Sequence, residues 1–190
     1  IHPHDSSKDK VNSNYLIENA KKHKKIIGVG ETGLDLYYSN SKKSDQIDSF
    51  IDHIEASITL NYPVIVHSRS AENETFEILN KYKNSNIKIL MHCFTGSKQF
   101  AKNLIDLGAF ISASGVVTFK NSKKLAEVFK EIPNERILVE TDAPYLAPEP
   151  LRGKSNEPSY ITHTVRFLSN LKNISYEEFS KITTNNFLKL

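Results

Sequence analysis

Short apolar runs rich in β-branched residues alternate along the chain with stretches whose apolar positions recur every three or four residues. The runs at residues 26–30, 64–67, 87–92, 109–114 and 136–141 have the length and composition of buried strands. Helical stripes fall between them: Leu16, Ile17 and Ala20; Ile47, Phe50, Ile51, Ile54 and Ile58; Phe76, Leu79 and Tyr82; Phe100, Leu104 and Leu107; Leu125, Val128 and Phe129. Gly108 stands where a helix C-terminus wants a left-handed residue, and Pro133 lies where a helix should have stopped. A proline-rich loop at 143–158 follows the last strand, and two further helices are predicted over about 159–171 and 175–190. Ser175 with Glu178 three residues on is a capping box that opens the last of them. This βα rhythm predicts an α/β fold around a parallel sheet, either doubly wound or closed into a (β/α)₈ barrel.

In both architectures ligands bind beyond the carboxyl ends of the strands, so the residue each strand carries there is informative. Those positions hold His2 and His4 on an opening stub, then Glu31, His67, His92, Ser114 and Asp142. Imidazoles and carboxylates converging from separate strands suit a hydrolase that uses divalent cations to acidify water and polarise the scissile bond. Singly, each has a plainer role: a histidine can cap a strand, and Asp142 before Ala143-Pro144 can start a turn. Recurrence at the same place in successive βα units favours the joint reading. The segment Gly28-Val29-Gly30-Glu31-Thr32-Gly33 is not a dinucleotide-binding loop, because its spacing is wrong and a carboxylate stands where phosphate would lie.

Composition narrows the class. The 190 residues, 38% hydrophobic and 25% charged, suit one globular domain spanning 1–190 and exclude disordered or fibrous chains. No apolar run approaches the roughly 18–20 residues that span a bilayer, and the first residues lack the order of a signal peptide, so a cytoplasmic protein is expected. The single Cys93 fits a reducing compartment and rules out a cysteine zinc cluster. A net charge of +3 permits a polyanionic partner without requiring one, and the Lys21–Lys25 run reads as cations at the end of a helix. Met91 is the only methionine, so the chain is expected to be processed or to lack its beginning.

The segments Gly30-Glu31-Thr32-Gly33-Leu34-Asp35, Pro63-Val64-Ile65-Val66-His67-Ser68-Arg69, His92-Cys93-Phe94-Thr95-Gly96 and Glu140-Thr141-Asp142-Ala143-Pro144-Tyr145-Leu146 closely resemble signature segments of the TatD family of metal-dependent deoxyribonucleases. Arg152-Gly153-Lys154-Ser155-Asn156-Glu157-Pro158 resembles that family's loop after the last strand. The resemblance implies a (β/α)₈ barrel related to the amidohydrolases, two divalent ions (Mg, Mn or Zn), and hydrolysis of DNA, often as a 3′→5′ exonuclease. It makes Glu31 a carboxylate shared between the ions and His67 and His92 ligands of one of them. Asp142 becomes the ligand of the other and the acceptor of the proton from the attacking water.

The family opens with a His-x-His strand that His2-Pro3-His4 does not match; this segment resembles instead the end of the family's third strand, which makes His2 and His4 substrate-side or structural. By that alignment the first two strands and most of the third are absent, leaving three quarters of a barrel. Arg69, Arg152 and Lys154 are candidate phosphate contacts, the last two equally readable as solvated loop charges. Cys93 is expected to turn away from His92 into the helix layer by strand alternation. Tyr145 and Tyr160 can stack on bases, though packing is the commoner role for aromatics beside helices. DNA is the expected partner, with no membrane and no obligate protein partner. The rival readings are an amide or ester hydrolase on the same barrel and a metal-poor binding module.

Overall fold

The computed structural model describes residues 1–190, which form two compact units. The first comprises Ile1–His92 with Asp106–Ala109, the second Cys93–Ile105 with Phe110–Leu190.

In the first unit, helix α1 (Ser13–Lys22) leads to strand β1 (Val29–Asp35), α2 (Lys43–Leu60), β2 (Pro63–Arg69), α3 (Glu72–Lys81) and β3 (Lys88–Met91). The three strands pair in parallel, β2 between β1 and β3. Asn12 caps α1 by accepting from the Tyr15 amide, and Lys21 and Lys22 occupy its last turn, where cations oppose the helix dipole. Leu34, Phe50, Ile54, Val64, Val66 and Leu79 are fully buried and form the core. Helix α2 buries Phe50 and Ile54 of its predicted stripe, but Gln46, Ser49, His53 and Ser57 share that face while Ile47, Ile51 and Ile58 are only half-buried.

The first strand begins later than its composition predicts. Residues 26–28 lie outside it, Ile27 is exposed, and the strand continues through Gly30-Glu31-Thr32-Gly33-Leu34-Asp35. Partner geometry overrides β-propensity here. A Cβ on Gly33, which has φ +127°, would lie 2.1 Å from the carbonyl oxygen of His67, its partner on β2. Only glycine permits that approach.

In the second unit, α4 (Lys98–Asp106, its last residue counted with the first unit) precedes β4 (Phe110–Ala113), α5 (Lys123–Glu131), β5 (Ile137–Val139), α6 (Ile161–Leu171) and α7 (Tyr176–Lys189), with single turns of 3₁₀ helix at Gly115–Thr118, Asn134–Arg136 and Pro158–Tyr160. Strands β4 and β5 pair in parallel, Ile111 opposite Ile137 and Ala113 opposite Val139. The capping box forms: Ser175 Oγ accepts from the Glu178 amide at 3.0 Å. Asn186 on α7 donates to the carbonyls of Asn134 and Ile137, both at 2.8 Å, tying the helix to the start of β5. The loop at 143–158 is fastened by buried Asn156, whose side chain donates to the carbonyls of Thr141 at 2.8 Å and Tyr145 at 2.6 Å. No helix is long and apolar enough to cross a membrane.

Candidate metal centre

The first unit gathers four histidines and two carboxylates. Strand alternation buries Val64 and Val66 on one face of β2 and sends Ile65 and His67 to the other. Pairing between β1 and β2 passes from Val29 opposite Val64 to Thr32 opposite Val66, so three steps on β1 match two on β2. Glu31 sits in this bulge rather than at the end of its strand, and bulges re-aim side chains in this way. His92 follows the last residue of β3, its amide donating to the carbonyl of Val66 at 2.9 Å.

Glu31 Oε1 is the common focus. His67 Nδ1 lies 3.1 Å from it in hydrogen-bond geometry, His92 Nε2 3.6 Å and His2 Nε2 3.7 Å away. Burial pushes the Glu31 carboxyl towards higher pKa, but the hydrogen bond from His67 and the charges of His92, His67 and His2 outweigh it and hold the group below the usual range. Burial lowers the pKa of His2, against the opposing pull of Glu31, which keeps that imidazole towards its neutral form.

Asp35, at the true end of β1, is the second focus. Its side chain is fully buried; Oδ2 lies 2.7 Å from His4 Nε2 and 3.4 Å from His67 Nε2, while Oδ1 accepts from the amides of Tyr37 and Tyr38 at 3.0 and 2.9 Å. Gln46 of α2 fixes its backbone, accepting from the Asp35 amide at 2.8 Å and donating to the Asp35 carbonyl at 3.2 Å. His67 therefore stands between two carboxylates, one at each ring nitrogen.

This donor set fits a divalent cation. Ligands about 2.1 Å from a tetrahedral ion lie roughly 3.4 Å apart, and the nitrogens around Glu31 Oε1 span that range. The ligand atoms of His2, Glu31 and His67 all lie within 4.8 Å of one another. His67 Nε2 is buried without a hydrogen bond, an orphan 3.4 Å from Asp35 Oδ2 that would become a donor to it if Nδ1 offered its lone pair to a cation. His2 is the weaker ligand, because its Nδ1 accepts from the His4 amide at 3.2 Å, favouring the tautomer with its proton on Nε2.

The structure brings Glu31, His67, His92 and His4 together, with His4 turned onto Asp35. Arg69 ends β2, its guanidinium over the rings of Tyr37 and Tyr38. Asp142, Arg152 and Lys154 belong to the second unit. Asp142 lies three residues past β5 with φ +57°; Arg152 is exposed, its guanidinium 4.0 Å from the Phe119 ring centroid, and Lys154 is exposed beside it. Cys93 is not a strand residue: it lies beyond β3 with φ +41°, half-buried, its Sγ 3.1 Å from Ser114 Oγ, so alternation does not govern its direction. Sequence reasoning missed Asp35 because it ended the strand at residue 30; a carboxylate closing the strand was the available signal.

A family model described as TatD related DNase matches residues 1–190. That match lends no support to the expected loss of opening strands. The metal-dependent hydrolase BU355 of Buchnera aphidicola subsp. Acyrthosiphon pisum is 43% identical over 197 residues, covering all of this chain and 74% of its own length. The metal-dependent hydrolase YcfH of Escherichia coli K12 is 44% identical over 165 residues, 87% of this chain and 62% of its own. The chain thus spans between 62% and 74% of these two relatives. The crystal structure of YJJV, a TatD homologue from Escherichia coli K12, superposes with a TM-score of 0.88 at 26% identity, over 98% of this chain and 72% of that one.

Proposed function

Because the chain belongs to the TatD related DNase family, we propose that it hydrolyses DNA phosphodiester bonds with divalent cations, removing nucleotides from 3′ ends on a (β/α)₈ barrel. The observation that carries this reading is Glu31 Oε1, met by nitrogens of His67, His92 and His2 at 3.1–3.7 Å. A cation held there supplies Lewis acidity towards the phosphoryl oxygens and towards water.

The protein's own part is to position and to move protons. Glu31 is held ionised by the hydrogen bond from His67, until a cation would take the Nδ1 lone pair, and by the charges of the surrounding histidines, which together offset its burial. Asp35 holds His4 through a 2.7 Å contact, and its Oδ2, 3.4 Å from His67 Nε2, would orient that ring once Nε2 carries the proton. Asp142 accepts the proton of the attacking water, a role carried by its sequence match, and Arg152 and Lys154 attract the phosphate backbone.

The test is digestion of a 5′-labelled single-stranded oligonucleotide by the full protein. Stepwise shortening from the 3′ end is expected, lost to chelator and restored by Mg, Mn or Zn. Asp142→Asn should lower kcat by about a hundredfold or more while changing DNA affinity far less. Chelator-resistant hydrolysis, or an Asn variant with wild-type kcat, would overturn the corresponding assignment.

A further inference from the structure

The loop after β1 holds two large aromatic side chains in solvent, Tyr37 and Tyr38, 63% and 52% exposed. Scattered exposed aromatics are ordinary, but these are rigidly mounted. Both amides donate to Asp35 Oδ1, and Asp35 is fully buried and braced by Gln46. The rings stand edge-to-face, centroids 4.9 Å apart at 89°. Arg69, the last residue of β2, lays its guanidinium 4.6 Å from both ring centroids. Arg69 is exposed, and its charge is met by aromatic faces alone, with no carboxylate at ion-pair distance. The Tyr38 ring lies 5.5 Å from that of His4, so the group borders the metal centre.

A preformed aromatic wall with an unpaired guanidinium matches one ligand chemistry well: a planar, π-faced base linked to an anion. Stacking on such faces tolerates every base, and the guanidinium answers the phosphate. Fixing the rings before binding reduces the ordering cost at the moment of contact. From this geometry we infer that Tyr37, Tyr38 and Arg69 form a nucleobase-stacking subsite beside the candidate metal centre, in which a single unpaired nucleotide stacks on the face of one tyrosine with the other ring edge-on to it, and Arg69 pairs with its phosphate. The inference rests on the reading that the substrate is DNA.

The experiment uses the full protein in chelator, so that nothing is cut, with a single-stranded oligonucleotide carrying 2-aminopurine as its 3′-terminal base. Binding should quench the fluorophore. The double variant Tyr37→Ala/Tyr38→Ala should abolish the quench and weaken binding tenfold or more, while Tyr37→Phe/Tyr38→Phe, which keeps the aromatic faces, keeps both within about twofold. An oligonucleotide abasic at that position should bind the wild-type protein tenfold or more weakly than the intact one. That arm needs no mutation, so it decides the matter even if the alanine variant melts early. Equal affinity for abasic and intact strands, or phenylalanine variants as weak as alanine ones at unchanged melting temperature, would overturn the subsite. Failure of the nuclease reading looks different: no oligonucleotide is shortened when cations are supplied, whatever base it ends in.

Discussion

The Asp35 carboxylate holds a backbone turn and His4 and lies 3.4 Å from His67 Nε2, while its main chain is fixed by Gln46 of α2, which makes it the residue whose replacement says most about the site. Burial raises its pKa, but the Tyr38 amide, His4 and the Tyr37 amide favour the ionised form more strongly, so the net shift is downward from 3.8. A carboxyl depressed in the folded state binds fewer protons than in the unfolded chain, so its stabilising contribution is complete above the unfolded value and is lost as pH falls through the folded one. Asp35→Asn should flatten the fall in melting temperature below about pH 4, the region of the unfolded carboxyl. It should also weaken zinc binding by about 10–100-fold, as loss of a carboxylate partner to a ligating histidine commonly does. Calorimetric titration with zinc that leaves affinity unchanged would show that Asp35 does not orient His67. At this scale Glu31, His67 and His92 stand out in the sequence as polar residues closing apolar runs, although Glu31 and His67 lie inside longer strands and only His92 stands just past the end of its own. Asp35 was not legible, since its role depends on which residue ends β1, and that is set by contact with β2.

The helices show the same division between local and tertiary information. The windows for α4, α5 and α7 were read closely because their stripes, the cap at Ser175 and Gly108 with φ +85° are local features. The polar residues buried on α2 were not legible: Gln46 is held there by Asp35, and hydrogen-bond partners far apart in sequence leave no periodic mark. Lys172, just past α6, is a similar case. Its ammonium donates to the carbonyls of Lys130, at 2.9 Å, and Ile132, satisfying groups at the end of α5, and burial lowers its pKa from 10.5 to about 8. Between those values the folded protein has released a proton that the unfolded chain still binds, so stability rises with pH across about 8 to 10.5 and the contribution is lost as pH falls through about 8. Lys172→Met should remove that part of the rise, measured as the difference in melting temperature between variant and wild type across this range. A difference that does not vary with pH would show that the amine titrates alike in both states.

At the scale of the whole molecule, 25 basic against 22 acidic side chains leave a net charge of +3, too little for affinity to a polyanion to follow from overall charge. On the proposed nuclease reading, attraction to DNA is therefore expected from particular side chains, and a local arrangement can be separated from a global field by its salt dependence. Arg152 and Lys154 are exposed in the loop at 143–158, whose backbone buried Asn156 fastens; Arg152 is further held by the Phe119 ring and by Asn121, 3.5 Å from its guanidinium. Cations on a fastened loop that meet phosphates release counterions on binding, and each phosphate deprived of its cation reduces the slope of log affinity against log salt by roughly 0.7 for single strands. Replacing both with alanine should therefore weaken binding uniformly across sequences and flatten that slope by about 1.4. Lys124→Ala, at an exposed position on α5, supplies the comparison for a change in net charge alone. If the loop cations contact phosphate, the double variant loses slope while Lys124→Ala keeps it. If net charge governs attraction, Lys124→Ala shifts affinity as much per charge removed as the loop variant does, and the two residues return to being solvated loop charges.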